Sequence, residues 1–458
     1  MSGAPGSDAC RSPFRYADAL VKPYQTFIFG SHAFDPASGK ISLNYSVDNE
    51  VTFTETLTLP SPHPQEEITD DALHALHLIG GISYFKTCLP PTIEIRTKPL
   101  TPEQADFWNT VYENGLGEFF FRNNLDPNDR IHFPSAAAGQ SSTKKTAQTD
   151  PQATKRILVP IGGGKDSVVT AELLRKAGHD VTLLRVGSHP LITSLAKEMN
   201  LPLLEVSRKL SPNLFKLNEE GALNGHIPIT AYLTFLADVM AQLYSFDAVV
   251  WSAERSANVG NTLYHGMEIN HQWSKSLTFE RAHGAYTQGI PPSFSLLRPW
   301  SELRIAQEFV NYPQYLPFTT SCNANWKIVQ KQSEKLWCGH CPKCAFVYAL
   351  YAAFLPQQKL NDIFGKDLFA DPDLLPLFKQ LLGTEGFKPF ECVGTPEETK
   401  AAFCLAHDRK EWNGTPIMDF FEREVLPTIT DCDALLKDAL TPSGEHDIPP
   451  HYFSILPS

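Results

Sequence analysis

At 458 residues the chain is longer than one ordinary hydrophobic core accommodates, so two or three structural units are expected. Hydrophobic content of 42% and charged content of 20% describe a soluble globular protein, and a net charge of −12 argues against broad nonspecific binding to nucleic acid or anionic membrane. No apolar run is long enough for a bilayer, no signal-peptide layout opens the chain, and nine cysteines, four with metal-like spacing, suggest a reducing, cytoplasmic setting.

Residues 1–16 read as a disordered leader. From Thr26 to Leu59 the pattern is β: Ile41, Leu43, Tyr45 and Val47 alternate with polar residues, and Val51, Phe53, Leu57 and Leu59 alternate with threonines. Asp48-Asn49 between the runs is good turn chemistry, so a hairpin is expected. Asp70 to Ile79 reads as a helix that stops at Gly80-Gly81. A second helix starts at Thr101 with Pro102 at its first position, Gln104 completing a capping box and Gly115 ending it. Residues 1–134 thus make an N-terminal α+β domain. The Ala, Gly, Ser and Thr-rich stretch 135–154 reads as a flexible linker.

Strands are expected at 156–161, 181–186, 202–206 and 247–251, with a helix near 230–245 that carries Leu233, Leu236, Ala237, Met240, Leu243 and Tyr244 on one face. Repeated βα units predict an α/β fold with a doubly wound parallel sheet over 155–355, which binds ligands at the carboxyl ends of its strands. After Pro356, residues 356–458 read as helical, with a capping box at Thr395–Glu398 and an apolar helix near Met418–Leu426. No internal repeat is apparent.

The strand Arg156-Ile-Leu-Val-Pro-Ile161 runs into Gly162-Gly-Gly-Lys-Asp-Ser167, and Val169, Leu173 and Ala177 line one face of the helix behind it. Consecutive glycines let backbone N–H groups approach a ligand, and a helix start supplies unpaired donors and a positive dipole end. A phosphate is the natural guest; a turn serving packing alone is the alternative. Asp166 between Lys165 and Ser167 departs from a Walker A loop, and Ser167 departs from the dinucleotide fingerprint. Gly162, Gly163, Gly164, Lys165, Asp166 and Ser167 resemble the pyrophosphate loop Ser-Gly-Gly-x-Asp-Ser of the ATP pyrophosphatases in every position but the first. That resemblance implies a sheet of the ATP pyrophosphatase type, ATP cleaved between its α and β phosphates, and Mg2+ as companion ion. Val186, at the end of the next strand, is counted with the nucleotide contacts.

Cys338-Gly-His-Cys341-Pro-Lys-Cys344, with Cys322 sixteen residues upstream, suits a closed structural zinc site, metal-free thiols or a redox CxxC pair being the alternatives. From Trp251 to Arg304, functional groups crowd a long connection beyond a strand end: Glu254, Arg255, Asn258, His265, Glu268, His271, Lys275, Glu280, Arg281, His283 and Arg298. An active-site loop and a solvated surface loop both fit this composition. Asn224-Gly-His-Ile-Pro228 is a further candidate for the same pocket.

Taken together, Gly80-Gly-Ile-Ser-Tyr-Phe-Lys86, Gly115-Leu-Gly-Glu-Phe119, Gly162–Ser167, Trp251-Ser-Ala-Glu-Arg-Ser-Ala-Asn258 and Cys338–Cys344, behind a β-rich N-terminal part, resemble the MurL epimerase family of bacterial peptidoglycan synthesis. The resemblance implies ATP- and Mg2+-dependent inversion of the terminal L-Glu of a UDP-linked muramoyl dipeptide through an acyl-adenylate, with AMP and diphosphate as coproducts. Asp166, Glu254, Glu268, His271 and His283 are then the candidates for catalysis, with His265, Glu280 and, if the N-terminal domain closes over the site, Tyr84 or Lys86 as further acid–base groups. Arg255, Asn258, Lys275, Arg281 and Arg298 are the candidates for binding the anionic substrate. A small-molecule substrate is expected, with neither nucleic acid nor membrane as partner. An amide ligase or nucleoside-modifying enzyme of the pyrophosphatase group, and a nucleotide sensor without catalysis, are the competing readings; ATP-to-AMP conversion separates the last from the others.

Overall fold

The computed structural model describes residues 23–64, 68–136, 155–287, 291–326 and 335–457. Strands β1 (Thr26–Asp35), β2 (Lys40–Val47) and β3 (Val51–Thr58) form an antiparallel meander, and β4 (Thr92–Ile95) adds in parallel to β1. Ile41, Leu43, Tyr45 and Val47 are all buried, as their alternation predicts. Asp48 and Asn49 turn the chain between β2 and β3 with φ of 51° and 56°, the left-handed region these residue types tolerate.

Helix Asp70–Phe85 packs on this meander and runs straight through Gly80-Gly81, where a stop is expected from sequence. A Cβ on Gly80 would run into the Tyr45 hydroxyl, and one on Gly81 into the Phe29 ring. The glycines therefore allow a close helix–sheet approach rather than ending the helix. Helix Pro102–Gly115 has the expected boundaries, with both halves of the Thr101/Gln104 capping box formed.

Four parallel strands lie where the βα pattern predicts them: β5 (Arg156–Pro160), β6 (Asp180–Val186), β7 (Leu203–Lys209) and β8 (Ala248–Trp251). A small hairpin of β9 (Thr262–Tyr264) and β10 (Met267–Ile269) follows, and β11 (Ser293–Ser295) joins the main sheet beside β8. The order β11-β8-β5-β6-β7 continues as β3-β2-β1-β4, because β7 runs three residues past its expected end and pairs Ser207–Lys209 antiparallel with Thr56–Thr58 of β3. One nine-stranded sheet thus spans the regions expected as separate N-terminal and nucleotide-binding units. The fully buried Glu55 fastens this seam, accepting from Arg208 at 2.9 and 3.1 Å, Tyr84 at 3.0 Å and Tyr232 at 2.6 Å. Residues 1–16 and most of the expected linker lie outside the described residues.

Adjacent residues of β5 serve opposite cores. Ile157 and Val159 pack with helices Lys165–Lys176, Pro190–Met199, Glu302–Phe309 and Pro342–Ala352, while Leu158 packs with helices Asp70–Phe85 and Ile229–Leu243. The sheet is therefore covered on both faces, the doubly wound arrangement. Helices Pro396–Asp408 and Cys432–Leu440 extend the first core and are joined by a Cys404–Cys432 disulfide. The apolar helix expected near 418–426 is Pro416–Phe420 followed by a wider turn at Phe421–Val425. Strand order departs in opposite directions from β5, so the crevice beyond β5 and β8 is the topological switch point.

Candidate active site

Beyond β5, Gly163 takes φ of 81°, and its carbonyl accepts the Thr320 N–H at 2.8 Å. Gly164 caps helix Lys165–Lys176 without any side-chain hydrogen bond, which leaves first-turn N–H groups free for a ligand. Gly162 is exposed, and a Cβ there would meet nothing within 4 Å. No described atom crowds the side of Gly162, and an uncapped helix start favours an anion beside it.

Lys165 turns inward between Asp166, at 2.5 Å, and Glu302, which it touches closely. Burial opposes a charge on Lys165, but the two carboxylates more than offset it and hold the ammonium protonated. Glu302 is pushed up to about 8, first by burial and then by Asp166 and Glu254, against the pull of Lys165. Glu254, just beyond β8, keeps Oε1 buried without a hydrogen-bond partner among the described residues. Free N–H donors, Asp166 and an unpartnered carboxylate oxygen fit a polyphosphate carrying a hard divalent cation.

A small cleft lies here, and Lys165, Asp166, Glu302, Ser321, Lys343 and Cys392 line it. Lys275 donates to Cys392 Sγ at 3.4 Å. Burial works against ionising Cys392, but the ammonium groups of Lys275 and Lys343 and the adjacent His271 outweigh it and hold the thiol well below the usual cysteine range. His271 presents Nδ1 to Glu118, which also accepts closely from Arg122 and lies 3.4 Å from His226 Nδ1. Burial works against charging the His271 ring, yet Cys392 and Glu118 raise it to about 9, whereas burial lowers its neighbour His226 to about 4. Glu118 comes from helix Gly117–Arg122, so the N-terminal part of the chain reaches this side of the site.

The other expected site residues divide sharply. Arg298 is buried and donates to the carbonyls of Glu254 at 2.9 Å and Lys275 at 2.6 Å and to Glu280 at 2.9 Å, so it clamps the two segments that carry Glu254 and Lys275. Arg255 instead donates to the carbonyls of Asp438 and Thr441 at the C-terminal end of helix Cys432–Leu440. Arg281 is exposed and paired with Asp447, and Asn258 accepts the Leu277 N–H at a helix start. Glu268 is exposed on the β9–β10 hairpin and accepts from Gly260, and His265 is the exposed turn residue of that hairpin. His283 is buried between helices, 2.7 Å from Asp238. Tyr84 is spent on the Glu55 seam, and Lys86 donates to Asn224 at 2.8 Å, burial lowering it to about 8. Val186 ends β6 partly buried, packed on the second core. Sequence reasoning misses Glu302, Lys343, Glu118 and Cys392; Cys392 stands outside the spaced cysteines and carries no motif of its own.

Cys322, Cys338, Cys341 and Cys344 converge, with sulfur separations of 3.7 Å (Cys338–Cys344), 3.9 Å (Cys322–Cys341) and 3.5 Å (Cys341–Cys344). Tetrahedral thiolates about 2.3 Å from zinc sit about 3.8 Å apart, so the four residues fit a closed metal site. The knuckle starts helix Pro342–Ala352, and Thr320–Ser321, just before Cys322, border the cleft.

No described helix is long and apolar enough to cross a membrane. Residues 26% identical to a 7-cyano-7-deazaguanine synthase of Sulfolobus acidocaldarius extend over 230 positions, 44% of this chain and 46% of that protein. Similarity is far greater to two proteins named UDP-N-acetyl-alpha-D-muramoyl-L-alanyl-L-glutamate epimerase. That of Xanthomonas oryzae is 39% identical over 93% of this chain and 95% of its own, and that of Micromonospora is 38% identical over 95% and 98%. The MurL N-terminal domain matches residues 19–290 and the MurL C-terminal domain residues 318–434, and the first of these matches takes in meander and glycine loop together. With both domains present and the similarity running nearly end to end, the chain belongs to the MurL family.

Proposed function

We propose that the protein is an ATP-dependent isomerase of peptidoglycan precursor synthesis that inverts the terminal L-glutamyl residue of UDP-N-acetylmuramoyl-L-alanyl-L-glutamate. The observation that carries this reading is the near full-length similarity to proteins named for that epimerisation. A cytoplasmic location belongs to the same reading, as does a small-molecule substrate with no nucleic acid or membrane partner.

A free carboxylate hardly acidifies its Cα–H, because deprotonation would place a second negative charge beside the first. ATP, as co-substrate, supplies an adenylyl group that masks the terminal α-carboxylate as a mixed anhydride and releases diphosphate. Gly162–Ser167 hold the phosphates through backbone N–H groups, with Val186 on the nucleotide side. Asp166 and Glu254 would hold Mg2+, which would neutralise phosphate charge there. Zinc, held by the four cysteines, would act as a structural pin. Lys275 and Lys343 match the anionic substrate, and Arg298 positions Lys275 and Glu254 by gripping their carbonyls. His271, backed by Glu118, serves acid–base chemistry at the far side of the cleft. Water finally cleaves the anhydride, which frees AMP and the D-glutamyl product.

The test is incubation with the UDP-linked dipeptide, ATP and Mg2+, followed by chiral analysis of glutamate after hydrolysis. D-glutamate should form together with AMP, and neither should form when ATP is omitted. A product still in the L form but carrying a new amide would favour the ligase reading instead.

A further inference from the structure

We propose that Cys392 is a catalytic residue of the inversion, the base whose Sγ removes the proton from the glutamyl Cα. The inference rests on the reading that the glutamyl carboxylate is activated at the glycine loop.

Place comes first. Cys392 is partly exposed and lines the same cleft as Lys165, Asp166 and Glu302, so a substrate whose carboxyl end lies at the loop extends toward it. Its partners are of one kind. Lys275 donates to the sulfur at 3.4 Å, Lys343 lines the cleft with it, and His271 lies beside it. Three cationic or proton-donating groups around one sulfur stabilise a thiolate.

The other ionisable groups in the cleft and behind Cys392 are poorly suited to accept a proton. Lys275 is raised above its ordinary range: burial opposes its charge, but Cys392, Glu254 and Asp166 outweigh it. His271 is raised to about 9 and is charged at neutral pH. Asp166 and Glu302 are both taken up by Lys165, and Glu118 by His271 and Arg122. Burial opposes the charge of Cys392 too, yet its cationic surroundings hold the thiol well below the usual range, which leaves a soft, ionised base facing the cleft. A zinc-bound role is taken by other cysteines, since Cys322, Cys338, Cys341 and Cys344 form their own closed set.

The step balances simply. The Cα–H bond breaks, an S–H bond forms on Cys392, and the electron pair moves into the activated acyl group as an enolate. A solvent-derived proton then adds to the opposite face, and Cys392 returns its proton to solvent. No oxidant or further co-reactant is needed.

The experiment uses the full chain with Cys392→Ser and Cys392→Ala, zinc-loaded, in D2O with ATP, Mg2+ and the UDP-linked dipeptide. Two rates are read on each protein: substrate-dependent exchange of labelled pyrophosphate into ATP, and deuterium entry at the glutamyl Cα with inversion. Both variants should keep exchange near the wild-type rate and lose deuterium entry and inversion by about 10³-fold. Inversion retained in either variant would overturn the assignment, as would loss of pyrophosphate exchange in Cys392→Ser, which would put the residue in activation. A covalent substrate adduct on Cys392, detected by intact mass of acid-quenched wild-type protein, would make the sulfur a nucleophile and also overturn it. If wild-type protein gives neither exchange nor inversion, the underlying reading of the activity fails instead.

Discussion

The two ends of the cleft are built in opposite ways. The glycine-loop end is one continuous run, Gly162–Ser167, set by a strand, three glycines and a helix start. The far end is gathered from Glu118, His226, Cys392 and the neighbouring His271 and Lys275, distant stretches that meet only in the folded chain. A contiguous site takes its geometry from local backbone. A gathered one takes it from contacts between distant segments: His271 on Glu118, Gln272 on the Val393 carbonyl and Lys275 on Cys392. Local damage should therefore separate the two ends functionally, and damage to the scaffold should not.

The largest separation is expected at Asp166. Asp166→Ala should lower both pyrophosphate exchange and inversion by about 10³-fold, with unchanged circular dichroism, because activation precedes everything else. Full activity in that variant would remove the glycine loop from the chemistry.

At the far end, His271→Ala should cut inversion by about 10²-fold while sparing exchange. Its pH dependence sharpens the point. The folded ring sits near 9, above the ordinary histidine value of about 6.5, so its charge and the stability it contributes are fully present below about 6.5 and fade as pH rises through 9. Inversion should fall above pH 9 in the wild type, and an unchanged alkaline limb in His271→Ala would deny the ring that role.

The cysteine knuckle should behave as scaffold and affect both ends together. Cys341→Ser should lose its zinc, about one per chain in the wild type, lower the melting temperature and reduce exchange and inversion in parallel. Unchanged melting after metal removal would mean plain thiols. The smallest effect is expected at Arg281, whose guanidinium is exposed and paired with Asp447. Arg281→Ala should leave kcat, KM and melting unchanged, and a raised KM would return it to the substrate site.

What could be read in the sequence follows the same division. The glycine loop, the four spaced cysteines, the β-meander, the capping box at Thr101 and the βα repeat all depend on short-range patterns, and each has its counterpart in the fold. Gly80-Gly81 misled because a glycine pair ends a helix or lets it pack closely, and only Tyr45 and Phe29, far away in sequence, decide which. The joined sheet was hidden because the seam depends on Glu55 meeting Arg208. The crowded 251–304 segment contains both functional and structural charges. Lys275 and His271 sit against Cys392 behind the cleft, whereas Arg255, Asn258 and His283 serve as helix and core contacts. Spacing alone does not distinguish them. Cys392 had no local pattern to betray it.

The most direct test of an inversion that needs activation at one end and proton transfer at the other is deuterium uptake by the wild-type enzyme. In D2O with Mg2+, the UDP-linked dipeptide should gain one deuterium at the glutamyl Cα for each D product formed, and only when ATP is present. Exchange at Cα with ATP omitted would contradict the dependence of proton transfer on activation and leave the glycine loop without its role in the reaction.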